Sequence, residues 1–138
     1  WRRAILTRKP HVYFFIPSSP AERGWWIVVS VLAGLSEEIT WRGVQTPLLA
    51  GLMGSVWAGG LVCAVMFGAG HATQGLKSSS LIVLFALGFQ GLVWLSDSLV
   101  PAMAVHLLYD VTAGLTYGRF ARQMRSRDYF PEKSSPGF

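Results

Sequence analysis

Residues 35–43, LSEEITWRG, interrupt an otherwise apolar sequence. Residues 24–36 before the interruption and 43–70 after it contain no Asp, Glu, Lys or Arg. The interruption carries three charged residues within six positions: Glu37, Glu38 and Arg42. Charged side chains are costly inside a membrane-spanning segment and are candidates for function there. The stretch therefore predicts a polar site within an apolar helical protein.

The composition predicts an all-α, polytopic membrane helix bundle that forms one domain. Apolar residues make up 51% of the 138 residues and charged residues only 14%, against roughly a quarter charged in soluble domains. The chain has fifteen Gly, which permit close helix approach, and six Trp, which favour membrane interfaces. The single Cys63 excludes an intramolecular disulfide.

Hydropathy and turn signals predict four transmembrane helices. Their expected ranges are about 24–49, 53–70, 81–95 and 101–117, separated by a turn at 50–55, a loop at 71–80 and a turn at 96–101. We expect three regions: a basic, Pro-containing cytoplasmic or interfacial segment at 1–23, a membrane core at 24–118, and a basic, partly disordered cytoplasmic tail at 119–138. The first residue is Trp1, which predicts that further sequence precedes it.

The charge distribution predicts the orientation of the spans. Five of the twelve Lys and Arg residues precede the first span, five follow the last, and Lys77 lies in the middle loop. With four spans, all of these lie on one side, so the positive-inside rule predicts two cytoplasmic ends in a plasma or inner membrane. Basic residues at the ends fit contact with the anionic lipid bilayer, and we expect no nucleic-acid partner.

Helical spacing groups the ionisable residues of the spans, which are Glu37, Glu38, Arg42, His71, His106 and Asp110. Glu38 and Arg42 are four residues apart, so they share a helix face and are able to pair. Glu37 is rotated about 100° from Glu38 and points elsewhere. His106 and Asp110 share a face of the fourth span, and His71 closes the second. Three helices thus offer polar groups to a common interior, either as structural locks or as a reactive site.

Four hydrolytic chemistries are compared with these residues: metal-dependent, serine, aspartyl and glutamate hydrolysis. A zinc site of the H-E-x-x-H type is absent, so no metal or other cofactor is expected. Ser36 follows Gly34 but lacks the next Gly of a nucleophile motif and a fixed base. An aspartyl protease dyad needs two Asp residues within the membrane, but only Asp110 lies in a span, because Asp97 lies in a turn. Water activation by Glu37, with histidines stabilising an oxyanion, needs neither a metal nor a covalent intermediate.

Three motifs resemble those of the CAAX protease and bacteriocin-processing family, also called the Abi or type II CAAX prenyl endopeptidase family. E-E-x-x-x-R reads EEITWR at Glu37, F-x-x-x-H reads FGAGH at Phe67, and H-x-x-x-N/D reads HLLYD at His106. They stand in the family's order, and the resemblance covers roughly residues 25–115. It implies a glutamate intramembrane protease.

The resemblance also implies roles for the six residues. Glu37 is expected to activate water with help from His71, while Glu38 and Arg42 hold the site together. His106 and Asp110 are expected to form the oxyanion site. Well-studied members carry Asn at the last position, and an ionised Asp cannot donate a hydrogen bond. Either Asp110 is protonated or it orients His106.

The sequence therefore predicts a metal-independent membrane endopeptidase whose substrate is a peptide or membrane protein, prenylated or not. One alternative is a non-proteolytic scaffold, such as a bacteriocin-immunity or complex-assembly protein that keeps the family site. An ion or proton pathway through Glu37, His71 and Asp110 is a third interpretation, although no inverted repeat accompanies it.

Overall fold

The computed structural model of the chain describes residues 5–6 and 16–129, with side chains as far as residue 123. The elements in chain order are α1 (Pro20–Glu38), a π-helical segment (Ile39–Gln45), α2 (Thr46–Met53), α3 (Val56–Gly70), a 3₁₀ turn (Ala72–Gln74), α4 (Leu76–Ser96) and α5 (Val100–Tyr129). The described residues contain no strand, and the all-α prediction is confirmed.

The first predicted helix is longer than expected and changes its hydrogen-bonding register. It begins at Pro20, because Ser19 and Glu22 cap it reciprocally: Ser19 Oγ accepts from the Glu22 N–H at 3.2 Å, and Glu22 Oε2 accepts from the Ser19 N–H at 3.1 Å. It then continues without a break through the π-helical segment and α2 to Met53. The π-helical register at Ile39–Gln45 was not predicted.

The turn between α2 and α3 takes two residues rather than the six predicted. Gly54 adopts a left-handed conformation, with φ of 65°, and its N–H donates to the carbonyl of Ala50. Ser55 then caps α3, because its Oγ accepts from the N–H of Ala58 at 3.3 Å. Both helices therefore lie close to their predicted ranges but meet at a tighter corner.

The last two helices extend beyond their predicted ranges. The middle loop ends at Gly75, where φ is 95°, and α4 begins at Leu76 rather than at residue 81. Pro101 lies in the first turn of α5, as predicted. The prediction that this helix ends near residue 117 was wrong, because it continues to Tyr129. The predicted disorder at the end of the tail concerns residues 130–138, which lie outside the described residues.

One described helix is both long and apolar enough to cross a membrane. Helix α4 has 21 residues and a most apolar window of mean hydropathy 1.8. At about 1.5 Å per residue it extends for roughly 30 Å, the thickness of a bilayer core. The apolar α3 is shorter, with 15 residues. The number of spans therefore stays a prediction.

The chain divides into two compact units, and the candidate residues all belong to Val28–Asp110. In this unit Ala64, Phe67 and Ala86 form a buried apolar cluster between α3 and α4. Helices α2 and α3 approach so closely that a Cβ on Gly59 would lie 2.5 Å from the backbone nitrogen of Ala50.

The other unit comprises Trp1–Ile27 and Val111–Phe138. Its buried cluster contains Ile5, Ile16 and Ala121, with Tyr117 and Phe120 packed against it.

Candidate active site

The two adjacent glutamates occupy different environments. The side chain of Glu38 is 0% exposed, whereas that of Glu37 is 33% exposed. The rotation of about 100° between neighbours on a helix turns one carboxylate into the packed interior and leaves the other at its edge. A solvent or substrate molecule therefore has access to Glu37 and not to Glu38.

Glu38 forms the predicted pair with Arg42. Arg42 Nη1 donates to Glu38 Oε1 at 3.0 Å, and Arg42 Nη2 donates to the carbonyl of Ala86 on α4 at 3.3 Å. The guanidinium also lies 4.8 Å from the ring centre of Phe67 and 5.5 Å from that of Phe89. Arg42 thus ties the π-helical segment to α3 and α4 through its charge, its hydrogen bonds and its ring contacts.

His106 of α5 is held by the same Glu38 oxygen. Its Nδ1 lies 2.8 Å from Glu38 Oε1, and since a carboxylate oxygen accepts, Nδ1 is the donor. The imidazole stacks on Phe89, with 5.2 Å between ring centres and 21° between planes. These contacts fix the orientation of the ring and occupy Nδ1, so Nε2 is the nitrogen available to act on a substrate.

Nε2 of His106 lies near two further carboxylates. It is 3.8 Å from Glu37 Oε2 and 3.6 Å from Asp110 Oδ2, beyond the usual hydrogen-bond distance. The side chain of Asp110 is 29% exposed, similar to that of Glu37. The partly exposed carboxylates of Glu37 and Asp110 therefore lie beside Nε2 of the buried His106 ring, next to the buried Glu38–Arg42 pair.

His71 follows the last residue of α3. Its Nδ1 is 2.9 Å from the carbonyl of Phe67, which can only accept, so Nδ1 donates and Nε2 carries the free lone pair in the neutral ring. The Phe67 carbonyl thus sets the tautomer of His71, and the Phe67 ring packs against the imidazole with 4.9 Å between ring centres.

Residues 19–112 match the family model described as type II CAAX prenyl endopeptidase Rce1-like. The chain belongs to this family. Its members are membrane-associated proteases, so the coarse prediction of a membrane hydrolase is supported. No curated protein matches the chain, and no solved structure matches it.

All six candidate residues lie within the stretch that matches the Rce1-like family. The fold brings five of them into contact from α1, the π-helical segment and α5, and His71 lies directly after α3, where it contacts Phe67. Among the described residues, no group of three or more His, Cys, Asp or Glu side chains has the arrangement of a metal site. The six candidate side chains are acids, bases and hydrogen-bond donors.

Sequence reasoning missed the contribution of α4 to the candidate site. Helix α4 supplies the ring of Phe89 to His106 and the carbonyl of Ala86 to Arg42. A backbone carbonyl leaves no signal in a sequence. Phe89 offers only a weak one, since aromatic residues are common in any apolar helix. Thr46 and Gln90 are polar residues within largely apolar helices, but many other Ser, Thr and Gln residues in these helices share that feature.

Proposed function

We propose that this chain is a metal-independent membrane endopeptidase in which Glu37 activates water. The observation that carries the proposal is the difference in exposure and contacts between the adjacent glutamates. Glu38 is buried and engaged by Arg42 and His106, whereas Glu37 is accessible and lies near His106 Nε2. A carboxylate at the edge of an apolar interior is suited to general-base catalysis.

In this mechanism the carboxylate of Glu37 removes a proton from water as the water oxygen attacks the carbonyl carbon of the scissile peptide. Glu37 then passes that proton to the departing amine nitrogen, so protons and charges balance. His71 accepts a hydrogen bond from the water through Nε2. His106 donates to the oxyanion when its ring carries both protons, and Asp110 donates when it carries one.

For the membrane arrangement, we propose four spans with both ends of the chain in the cytoplasm. The basic residues at the two ends and Lys77 in the middle loop support this orientation. The substrate class that fits is a peptide or membrane-protein segment, with or without a prenyl group, that enters beside Glu37 and Asp110.

The proposal is tested with purified protein in proteoliposomes and a fluorogenic farnesylated CAAX peptide. We expect the wild type to cleave it and Glu37→Gln, at equal folded concentration, not to. Ser36→Ala is the matched control, because Ser36 is the exposed neighbour of Glu37, and it is expected to cleave normally. Cleavage by Glu37→Gln contradicts the mechanism, and loss of cleavage in Ser36→Ala favours a serine nucleophile instead.

A metal chelator supplies the second arm of the same assay. Cleavage unchanged by 1,10-phenanthroline is expected, whereas inhibition reversed by zinc contradicts a metal-independent reaction. A membrane scaffold, the alternative function, predicts that Glu37→Gln keeps the cellular role of the wild type.

A further inference from the structure

The carbonyl of Trp41 is the most heavily engaged backbone group in the π-helical segment. It accepts the backbone N–H of Thr46, which is the hydrogen bond of a π-helical turn. It also accepts Thr46 Oγ1 at 3.0 Å and the thiol of Cys63 on α3 at 3.2 Å. Three donors on one carbonyl hold the chain in a register that helices seldom adopt.

Thr46 connects this carbonyl to α4. Its Oγ1 lies 3.0 Å from the side-chain amide of Gln90 as well as 3.0 Å from the Trp41 carbonyl. The Gln90 atom that faces Thr46 is Oε1, which accepts from Thr46 Oγ1. A hydroxyl has one hydrogen, so both bonds form at the same time only when the Gln90 amide is turned to present its NH₂ group to Thr46. Both side chains are buried, with Thr46 4% and Gln90 3% exposed.

The same face of α4 contacts the π-helical segment and the first residue of α2 through two positions one turn apart. The Ala86 carbonyl accepts from Arg42, and Gln90 bonds Thr46. Arg42 lies in the middle of the π-helical segment, inside the turn that the hydrogen bonds between Trp41 and Thr46 close. A π turn contains one residue more than an α turn, so loss of this turn rotates Thr46 relative to Arg42. The contacts of Arg42 and Thr46 with α4 then no longer form together, which displaces Arg42 from Glu38.

We infer that Thr46 and Gln90 are positioning residues of the active site: they hold the π-helical segment so that Arg42 fixes Glu38, and through Glu38 the imidazole of His106. This inference rests on the proposed function for its kinetic consequences, but its structural content stands separately. Neither side chain is expected to touch substrate, so their loss lowers kcat more than it changes KM.

The kinetic test compares two substitutions at one position with the farnesylated CAAX peptide as probe. Thr46→Val keeps the shape and removes the hydroxyl, whereas Thr46→Ser keeps the hydroxyl. We expect Thr46→Val to lower kcat about 10- to 100-fold, as small misplacements of a site do, and Thr46→Ser to retain kcat close to the wild type. Wild-type kcat in folded Thr46→Val overturns the inference, and so does an equal loss in Thr46→Ser.

General destabilisation is controlled with Ser55→Ala. This substitution removes the cap of α3, where Ser55 Oγ accepts from Ala58, and leaves Trp41, Thr46 and Gln90 untouched. We expect a lower melting temperature with unchanged kcat. If Thr46→Val does not fold, Gln90→Met removes the other end of the same connection in a residue of similar shape, and the same drop in kcat is expected.

A spectroscopic readout separates this inference from the proposed function. Cys63 is the single cysteine of the chain, so its S–H stretching band in the infrared reports its hydrogen bond to the Trp41 carbonyl. We expect Thr46→Val to move the band toward that of an unbonded thiol and Thr46→Ser to leave it in place. If Glu37→Gln still cleaves the peptide, the proposed function fails, and an unchanged band in Thr46→Val then overturns the positioning role independently.

Discussion

A hydrogen bond of 2.8 Å joins Nδ1 of His106 to Oε1 of Glu38, two residues 68 positions apart in the chain. The same oxygen accepts from Arg42 at 3.0 Å, so one buried carboxylate organises a cation of its own helix and a histidine of α5. Nε2 of His106 is thereby directed toward Glu37 and Asp110. The His106 imidazole therefore contacts the buried Glu38–Arg42 pair through Nδ1 and lies near the proposed catalytic carboxylates through Nε2.

Substitution of His106 distinguishes the roles of its two ring nitrogens, Nδ1 in folding and Nε2 in cleavage. The Asn side chain places an amide donor near the position of Nδ1 but has no group at the position of Nε2. We therefore expect His106→Asn to fold better than His106→Ala, because it keeps a donor for buried Glu38, and both variants to lose cleavage. Thermal unfolding and the peptide assay measure the two effects. Cleavage by His106→Asn would show that Nε2 is dispensable.

Removal of Arg42 is expected to damage folding rather than catalysis alone. Arg42→Ala leaves the fully buried Glu38 carboxylate without its guanidinium, at a cost of roughly 3–5 kcal/mol. The predicted result is a reduced yield of folded protein in membranes, measured by size-exclusion chromatography with a fluorescent tag. Glu37→Gln serves as the comparison and keeps its yield, since Glu37 is partly exposed. A normal yield of Arg42→Ala contradicts the structural role of the pair.

The sequence predicted the candidate site better than it predicted the helix register. The four-residue spacings placed Glu38 with Arg42 and His106 with Asp110, because a helix fixes which residues share a face. The π-helical segment escaped prediction, since its sequence ITWRGVQ contains no Pro or other residue type that distinguishes a π turn from an α turn. Tertiary contacts from Cys63 and Gln90 determine that register, and local sequence does not carry them.

Helix boundaries failed where glycine and serine were interpreted as loop signals. Gly118 was expected to end the last helix, yet glycine costs only about 1 kcal/mol in a helix interior, and α5 continues through it to Tyr129. Ser78, Ser79 and Ser80 lie in the first turns of α4, where Ser79 Oγ donates to the carbonyl of Gly68 on α3. A serine that bonds a neighbouring helix is indistinguishable in sequence from one in a loop.

Asp110 offers a test of the oxyanion site. The Asn amide donates a hydrogen bond at any pH, whereas Asp donates only when it is protonated. Asp110→Asn is therefore expected to retain cleavage at neutral pH. Asp110→Leu removes the donor and is expected to lose about 100-fold in kcat, as loss of one oxyanion donor does elsewhere. The pair of variants is compared with the farnesylated peptide. Inactive Asp110→Asn with normal folding would mean that the carboxyl group itself is required.

Close packing of α2 on α3 predicts a stability difference between two glycines. A Cβ on Gly59 meets the backbone of Ala50 at 2.5 to 2.7 Å, so Gly59→Ala forces the helices apart and is expected to cost about 1–3 kcal/mol. A Cβ on Gly88 meets nothing within 4 Å, and Gly88→Ala is expected to be neutral or stabilising by up to about 1 kcal/mol. Melting temperatures in detergent measure both. Equal melting temperatures for the two variants would contradict the close approach of α2 and α3 at Gly59.

The most direct test of Glu37 as the catalytic base is made on natural substrates. New N-termini in the membrane proteome are compared between cells that carry wild-type protein and cells that carry Glu37→Gln at equal folded abundance. We predict a set of termini that is present with the wild type and absent with Glu37→Gln, which establishes the protease and identifies its substrates together. Identical termini in both cells, with the cellular phenotype intact, would contradict proteolysis by Glu37 and favour the scaffold.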